Sequence, residues 1–349
     1  MKMKNNIYNF YKNNYDLEVL NYNITDKKIL FLVYDDDFYY YLDDNKFIDT
    51  NDNLNILNFI KDLNKLYKIK IMNFYPVCFC DKTLIIALRT ENIKNSFLKV
   101  IKYDRISKKY KELILYHKLN FTTLFLSSSI KKEILMGEKY INRYKFHEKV
   151  IKKYFLTDKK RKKKEFNQLL KNLIPYKKSI IDVSCGDNSD IFNIAMEKNY
   201  KTIVGNDICL EYLNTHKNDN IIYTNDNIEI NKIRENSYDV SFCKNTLHHM
   251  NSLTNINKAL KFLKKISKKI IIVEILNPND FKGLPRFLNK YLYTKFLKDV
   301  GSCYLNEEQL KKIVNNIFND NYISYQKFTN ILGTYLIIKI DKENKISEN

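Results

Sequence analysis

The sequence predicts an α/β fold: a mostly parallel sheet with helices on both faces, built after Lys178 and preceded by a separate α+β module. Three observations predict it. From Lys178 onward, apolar strand-like runs alternate with helical stripes, the order that produces parallel pairing through crossover helices. Residues 180–190, Ile-Ile-Asp-Val-Ser-Cys-Gly-Asp-Asn-Ser-Asp, carry a β-branched run into an acid, a tight turn and a helix start. A second apolar run, Thr202-Ile-Val-Gly-Asn-Asp207, ends in an acid twenty-five residues after Asp182, a spacing that suits a carboxylate binding both hydroxyls of a ribose.

At 349 residues the chain is long for one core, and 44% hydrophobic residues are enough to bury two. The first domain is placed at residues 1–130, with strands at 29–34, 69–75, 84–88, 97–103 and 122–126 and helices at 55–67 and 108–119. Lys102 followed by Glu112 imitates the lysine–glutamate pair of a kinase small lobe. No Gly-rich loop precedes it and no HRD or DFG follows, so a solvated lysine on an edge strand is the reading. Residues 131–178 form a basic helical linker whose run at 159–164 is either a solvated face or an attractor for an anionic substrate. The second domain is placed at 179–342, and 343–349 are a polar tail.

The net charge of +20 points toward an anionic partner, yet only six of the 60 basic residues are Arg, and Asn, Ile, Lys and Tyr abound throughout. A coding bias toward A and T yields the same composition, and the phosphate-gripping Arg clusters of nucleic-acid recognition are missing, so nucleic acid is a partner the sequence permits without favouring. The six cysteines show no repeated CxxC or Cys/His spacing. Buried reduced thiols in a cytoplasmic protein are expected, and no metal site. Residues 1–20 lack the continuous apolar stretch of a secretory signal, and no segment reaches the twenty apolar residues of a membrane span.

A third strand at 221–224 ends at Asn225-Asp226-Asn227, and a fourth at 238–243 leads into Lys244-Asn-Thr-Leu-His-His-Met250. A fifth lies at 270–275, and a closing pair at 321–328 and 332–340. With these in order, the segment from about 140 to 340 resembles a class I S-adenosylmethionine-dependent methyltransferase of the large group that methylates small molecules. Asp182-Val-Ser-Cys-Gly-Asp-Asn188 stands where the group has its acid-x-Gly-x-Gly-x-Gly turn. Val204-Gly-Asn-Asp-Ile208 matches the second acidic strand, and Tyr238-Asp-Val with Leu247-His-His-Met250 the fourth strand and the helix after it.

The resemblance implies a Rossmann-like seven-stranded methyltransferase sheet, S-adenosyl-L-methionine as cofactor and a methyl acceptor as substrate. It implies Asp207, with Ile208 beside it, as the ribose acid, Asp226 with Asn227 at the adenine, and Asp182, Ser184 and Gly186 around the methionine moiety. Asn245 would face the transferred methyl or, alternatively, cap the helix beginning near Leu247; Asp207 and Asp226 could likewise be helix caps. Ser184 and Asn188 replace the first and third glycines of the motif; Asn tolerates a left-handed backbone, and the serine costs space more than geometry.

His248 and His249 invite a catalytic base. The leaving group is already a neutral thioether, so catalysis rests on aligning nucleophile, methyl and sulfur, with a base only where the acceptor must lose a proton. Neighbours on a helix point about 100° apart, so at most one of the two faces the cleft. No Asn/Asp-Pro-Pro-aromatic turn follows the fourth strand, as exocyclic base-amine methylation would want, and Phe242 rather than Pro precedes Cys243. A small-molecule acceptor is what remains, with an RNA-directed methyltransferase or a non-catalytic binding protein as alternatives. For residues 281–298 the resemblance implies a substrate lid from which Arg286, Tyr291 and Tyr293 touch the acceptor; packing of these aromatics against the sheet and a membrane-surface helix are the alternatives.

Overall fold

The computed structural model describes residues 7–17, 19–20, 28–34, 39–41, 48–49, 56–80, 82–91, 156–187, 189–216, 218–228, 232–277, 301, 303–330 and 333–343. The expected strands at 97–103 and 122–126, the helix at 108–119, most of the basic linker, Asn188 and the lid residues Arg286, Tyr291 and Tyr293 lie outside the described residues.

The elements in chain order are α1 (Ile7–Asn14), β1 (Val19–Leu20), β2 (Lys28–Tyr34), β3 (Tyr39–Tyr41), β4 (Ile48–Asp49), α2 (Ile56–Tyr67), β5 (Lys70–Cys80) and β6 (Thr83–Glu91). They continue with α3 (Leu156–Leu173), β7 (Ser179–Asp182), α4 (Ile191–Glu197), β8 (Thr202–Asn206), α5 (Leu210–Leu213), β9 (Ile222–Thr224) and β10 (Tyr238–Lys244). The last are α6 (Leu253–Ile266), β11 (Ser267–Ile275), α7 (Glu307–Ile317), β12 (Tyr322–Asn330) and β13 (Gly333–Asp341). The chain forms two compact units, one of Met1–Ile134 with Asn206–Arg234, the other of Leu135–Gly205 with Glu235–Asn349.

The first unit holds a six-stranded mixed sheet of order β1-β5-β6-β2-β3, with β4 also on β2. Its middle is apolar without alternation: Leu84 to Leu88 on β6 and Ile29 to Val33 on β2 are all buried, as strands covered on both sides require. Pro76, which has no N–H to give the ladder, sits where the β5–β6 register slips between Pro76 and Cys78. Helix α2 buries Ile56, Leu57, Ile60 and Leu63, one stripe at helical spacing.

The seven-stranded sheet runs β12-β13-β11-β10-β7-β8-β9 and is flanked by helices. β7 pairs in parallel with β8 and β10, and β10 in parallel with β11, while β13 runs antiparallel to both β11 and β12. The chain leaves β7 in one direction for β8 and β9 and in the other for β10 and β11, so the ends of β7 and β10 mark the topological switch point where open α/β sheets bind ligands. Continuous β-branched runs explain the centre: Ile180 and Ile181 on β7 and Ile270 to Val273 on β11 are fully buried.

The structure differs from the sequence expectation at the start of α6. The helix placed near Leu247 starts at Leu253; Leu247–His249 is a single 3-10 turn. Ser252 explains the shift, because its side chain accepts from the Asn255 N–H in extended backbone geometry, the arrangement of an N-cap. Asn245 has a φ of 52°, which is not a capping conformation. Among the described residues, no helix is long and apolar enough to cross a membrane.

Candidate functional site

In the second unit, the turn after β7 is organised by Asp182. Its buried carboxylate accepts the Ser184 N–H at 3.2 Å through Oδ1 and the Ser189 hydroxyl through Oδ2, and Ser189 Oγ in turn accepts the Ile191 N–H at the start of α4. The acid thus ties strand, turn and helix together. Gly186 is at the crest with φ of +58°, a left-handed conformation that favours glycine. A Cβ built there meets no atom of the described residues within 4 Å, so among them the crest is open. Ser184, at the position of a motif glycine, hydrogen-bonds the hydroxyl of Thr246 in the turn after β10.

That second turn depends on Glu274, a buried acid in the middle of the sheet. Its Oε2 accepts the N–H groups of Thr246 at 3.2 Å and Leu247 at 2.8 Å, while Oε1 accepts the Ile275 N–H at 3.1 Å and meets His248 Nδ1 at 2.5 Å. The His248 and Glu274 side chains are only 2% and 3% exposed. The imidazole stacks on Tyr304, its ring edge would lie 2.5 Å from a Cβ at Gly301, and its carbonyl accepts the Cys303 N–H at 3.0 Å. His249 is half-buried, with its ring centroid 4.1 Å from that of His248. Asn245 donates its N–H to Val273 at 2.9 Å, and its side-chain Oδ1 is buried without a hydrogen-bond partner among the described residues.

Burial raises the Cys243 thiol well above its ordinary range, against the lowering effect of its hydrogen bonds to Thr246 and Ser184. A neutral thiol is a poor nucleophile, which agrees with the missing Pro-Cys motif.

In the first unit, Asp207 and Asp226 end consecutive loops that four asparagine and tyrosine side chains hold. Asn206, 2% exposed, accepts the Thr224 hydroxyl at 2.9 Å and the Asp226 N–H at 2.8 Å, and donates to the Asp226 carbonyl at 3.0 Å. Asn225 donates to the Asp207 carbonyl at 2.6 Å, and its oxygen accepts from Asn73 Nδ2 and the Phe74 N–H, both at 3.0 Å. Asn73 also donates to the Ile208 carbonyl at 3.1 Å. Tyr15 gives its phenol to Asp226 Oδ2. Asp207 accepts the Cys209 N–H at 2.8 Å, and Asp226 and Asn227 are both buried. Burial pushes Asp226 up to about 6, even though the Tyr15 hydrogen bond pulls it down.

Asp182, Ser184, Gly186, Asn245, His248 and His249 therefore gather in the second unit, and Asp207, Ile208, Asp226 and Asn227 in the first. Sequence reasoning missed Ser189, Glu274, Asn206, Asn225, Asn73 and Tyr15. Glu274 carried a signal, an acid interrupting the run Ile270 to Leu276 in a central strand, whereas Tyr15 and Asn73 lie more than a hundred residues before the loops they hold and carried none.

Residues 181–270 match the family model described as a methyltransferase domain. Among curated proteins none matches the chain. Among solved structures, a SAM-dependent methyltransferase from Thermotoga maritima, described as a possible histamine N-methyltransferase, is 15% identical with a TM-score of 0.43, covering 60% of this chain and 99% of that one. Magnesium protoporphyrin IX methyltransferase from Synechocystis is 14% identical with a TM-score of 0.39, covering 52% and 82%. Phosphoethanolamine N-methyltransferase 2 from Haemonchus contortus is 12% identical with a TM-score of 0.38; the match covers 55% of this chain and spans 59% of that one, less than two thirds of its length. The family model runs from within β7 to the first residues of β11, across the strands on either side of the switch point. Over residues 181–270 the chain carries a methyltransferase domain.

Proposed function

We propose that this chain is a cytoplasmic enzyme that transfers a methyl group from S-adenosylmethionine to a small-molecule acceptor. The observation that carries the reading is the turn after β7, anchored from below by buried Asp182 and open above Gly186, inside the segment that matches the methyltransferase model. The residues fit the cofactor. A crest without a Cβ admits the methionine moiety close to the backbone, and the buried Asn245 Oδ1 offers an acceptor for an amino group. Asp207 suits a ribose diol and Asp226, with Asn227, an adenine amine.

Bound there, the cofactor supplies a methyl on a sulfonium, a group that needs alignment more than activation. The chain's own part is to orient and to exclude water. Glu274 fixes the turn carrying Asn245 by accepting the N–H groups of Thr246 and Leu247, and it holds His248 in place from the side. His248 is thereby a positioning residue, and half-buried His249 is the member of the pair suited to take a proton from an acceptor. We place the methyltransferase domain at residues 179–342, with residues 1–130 as a module that shapes acceptor choice.

Titration calorimetry with S-adenosylmethionine and S-adenosylhomocysteine tests the reading. Binding is expected, and Asp207→Ala should weaken it by about 2–4 kcal/mol through loss of two charge-assisted hydrogen bonds. Absence of binding at millimolar ligand would end the enzyme reading. A screen of metabolite extract and bulk RNA with labelled cofactor identifies the acceptor class, and label entering only RNA would replace the small-molecule acceptor.

A further inference from the structure

The two oxygens of the Asp226 carboxylate are not equivalent. Oδ2 accepts the phenol of Tyr15, whereas Oδ1 has no hydrogen-bond partner among the described residues. The phenol is held from several directions. Tyr15 pairs with Ile233 in an isolated β-bridge, the Asp16 N–H donates to Lys232 at 2.7 Å, and the Arg234 N–H donates to Asn14 at 2.9 Å. Its ring, 1% exposed, meets Tyr11 and Phe10 edge to face at centroid distances of 4.8 and 6.0 Å. The backbone of Asp226 is clamped on both sides by the Asn206 amide. With the backbone fixed and one oxygen tied, the carboxylate has a single orientation left.

We infer that Tyr15 is a positioning residue for nucleoside recognition: by holding Oδ2 of Asp226 it presents Oδ1 as a fixed acceptor for the exocyclic amine of the adenine. The inference rests on the reading that Asp226 meets that ring. A carboxylate oxygen only accepts, so it accommodates the amine of adenine and opposes the carbonyl of a 6-oxo purine. A purely structural tie between the N-terminal segment and the 226 loop would not care which purine is bound.

The experiment compares S-adenosylhomocysteine with its 6-oxo analogue, S-inosylhomocysteine, by calorimetry on the full-length protein. The unaltered protein should prefer the adenosyl compound by about tenfold or more, the worth of one hydrogen bond to a charged group. In Asp226→Asn, Tyr15 should keep the amide oxygen, so the amide nitrogen faces the base and the preference reverses toward the 6-oxo compound. In the double variant Asp226→Asn with Tyr15→Phe, the amide is free to turn and the adenosyl preference should return. An Asp226→Asn protein that still prefers the adenosyl compound overturns the positioning role, and it does so without altering Tyr15, should Tyr15→Phe fail to fold. Equal affinity of the unaltered protein for both compounds overturns the inference through its premise about Asp226. Failure to bind either compound instead removes the cofactor reading itself.

Discussion

The turns after β7 and β10 and the loops after β8 and β9 are made of the same residue types, buried acids, asparagines and hydroxyls at strand ends, but they are secured differently. In the second unit the anchors belong to the sheet itself. Asp182 ends β7 and gathers its own turn, and Glu274 lies on β11, next to β10, and gathers the backbone of residues 246 and 247. In the first unit the loops carrying Asp207 and Asp226 are held by Asn73 and Phe74 of β5 and by Tyr15, from the N-terminal module. One set of turns is supported from within its own sheet, the other also from the N-terminal module. A motif scan therefore finds the turn residues of both sets, Asp182 included, and misses Glu274 in the first as it misses Asn73 and Tyr15 in the second.

The largest effect is expected at Glu274. Glu274→Ala removes the acceptor of three backbone N–H groups and leaves His248 buried without its carboxylate. The expected loss is about 3–5 kcal/mol of folding stability, read by urea denaturation. A loss below about 1 kcal/mol would show that the turn is held by Ser184 and Thr246 alone.

Asp226 is next, and its sign is opposite. A carboxyl whose folded pKa is raised from 3.8 to about 6 takes up a proton more readily folded than unfolded. Its ionisation therefore costs stability above about pH 6, and the cost is relieved as pH falls toward 4. Asp226→Asn keeps an acceptor for Tyr15 and removes the buried charge, so it should stabilise the protein at about pH 7.5 by on the order of 2–3 kcal/mol, with the gain shrinking toward about pH 4.5. Chemical denaturation at the two pH values measures it, and a gain that does not depend on pH would assign the effect to something other than the charge.

Asn73→Ala tests the outside support directly. It deletes the donor to the Ile208 carbonyl and to Asn225, and about 1–2 kcal/mol should be lost. Cofactor affinity should fall as well, because the loop bearing Asp207 loses its tether. Unchanged affinity for S-adenosylhomocysteine in a destabilised protein would separate the tether from the ribose contact.

What was legible in the sequence follows the same division. The strands β7, β8 and β11 could be read because each carries a β-branched run, with Asp182 closing β7 and Asp207 directly following β8. The closing pair was legible from its length and position, and it appears as Tyr322–Asn330 and Gly333–Asp341. The start of α6 was misplaced by six residues because Leu247-His-His-Met250 continues the apolar pattern, while the signal that decides, Ser252 as N-cap, is a single hydroxyl. Tyr15 and Asn73 were illegible for a more basic reason. Their contacts join residues more than 130 positions apart in sequence, and nothing local to Asn73 on β5 or to Tyr15 after α1 encodes a partner at 208 or 226.

The smallest expected change in folding is also the one that speaks most directly to the proposed cofactor. Gly186→Ala places a methyl where no atom of the described residues lies within 4 Å, so contacts with them contribute nothing to its cost. What remains is the left-handed φ of +58°, which disfavours alanine by about 1 kcal/mol. If the crest is where the methionine moiety lies against the backbone, the same methyl occupies that space. Affinity for S-adenosylhomocysteine should then fall by at least tenfold, a second loss of about 1.4 kcal/mol or more that the stability measurement does not contain. A variant destabilised by about 1 kcal/mol with full affinity would mean that the open space above Gly186 is not where the cofactor sits, and the methionine end would have to be sought elsewhere along the ends of β7 and β10.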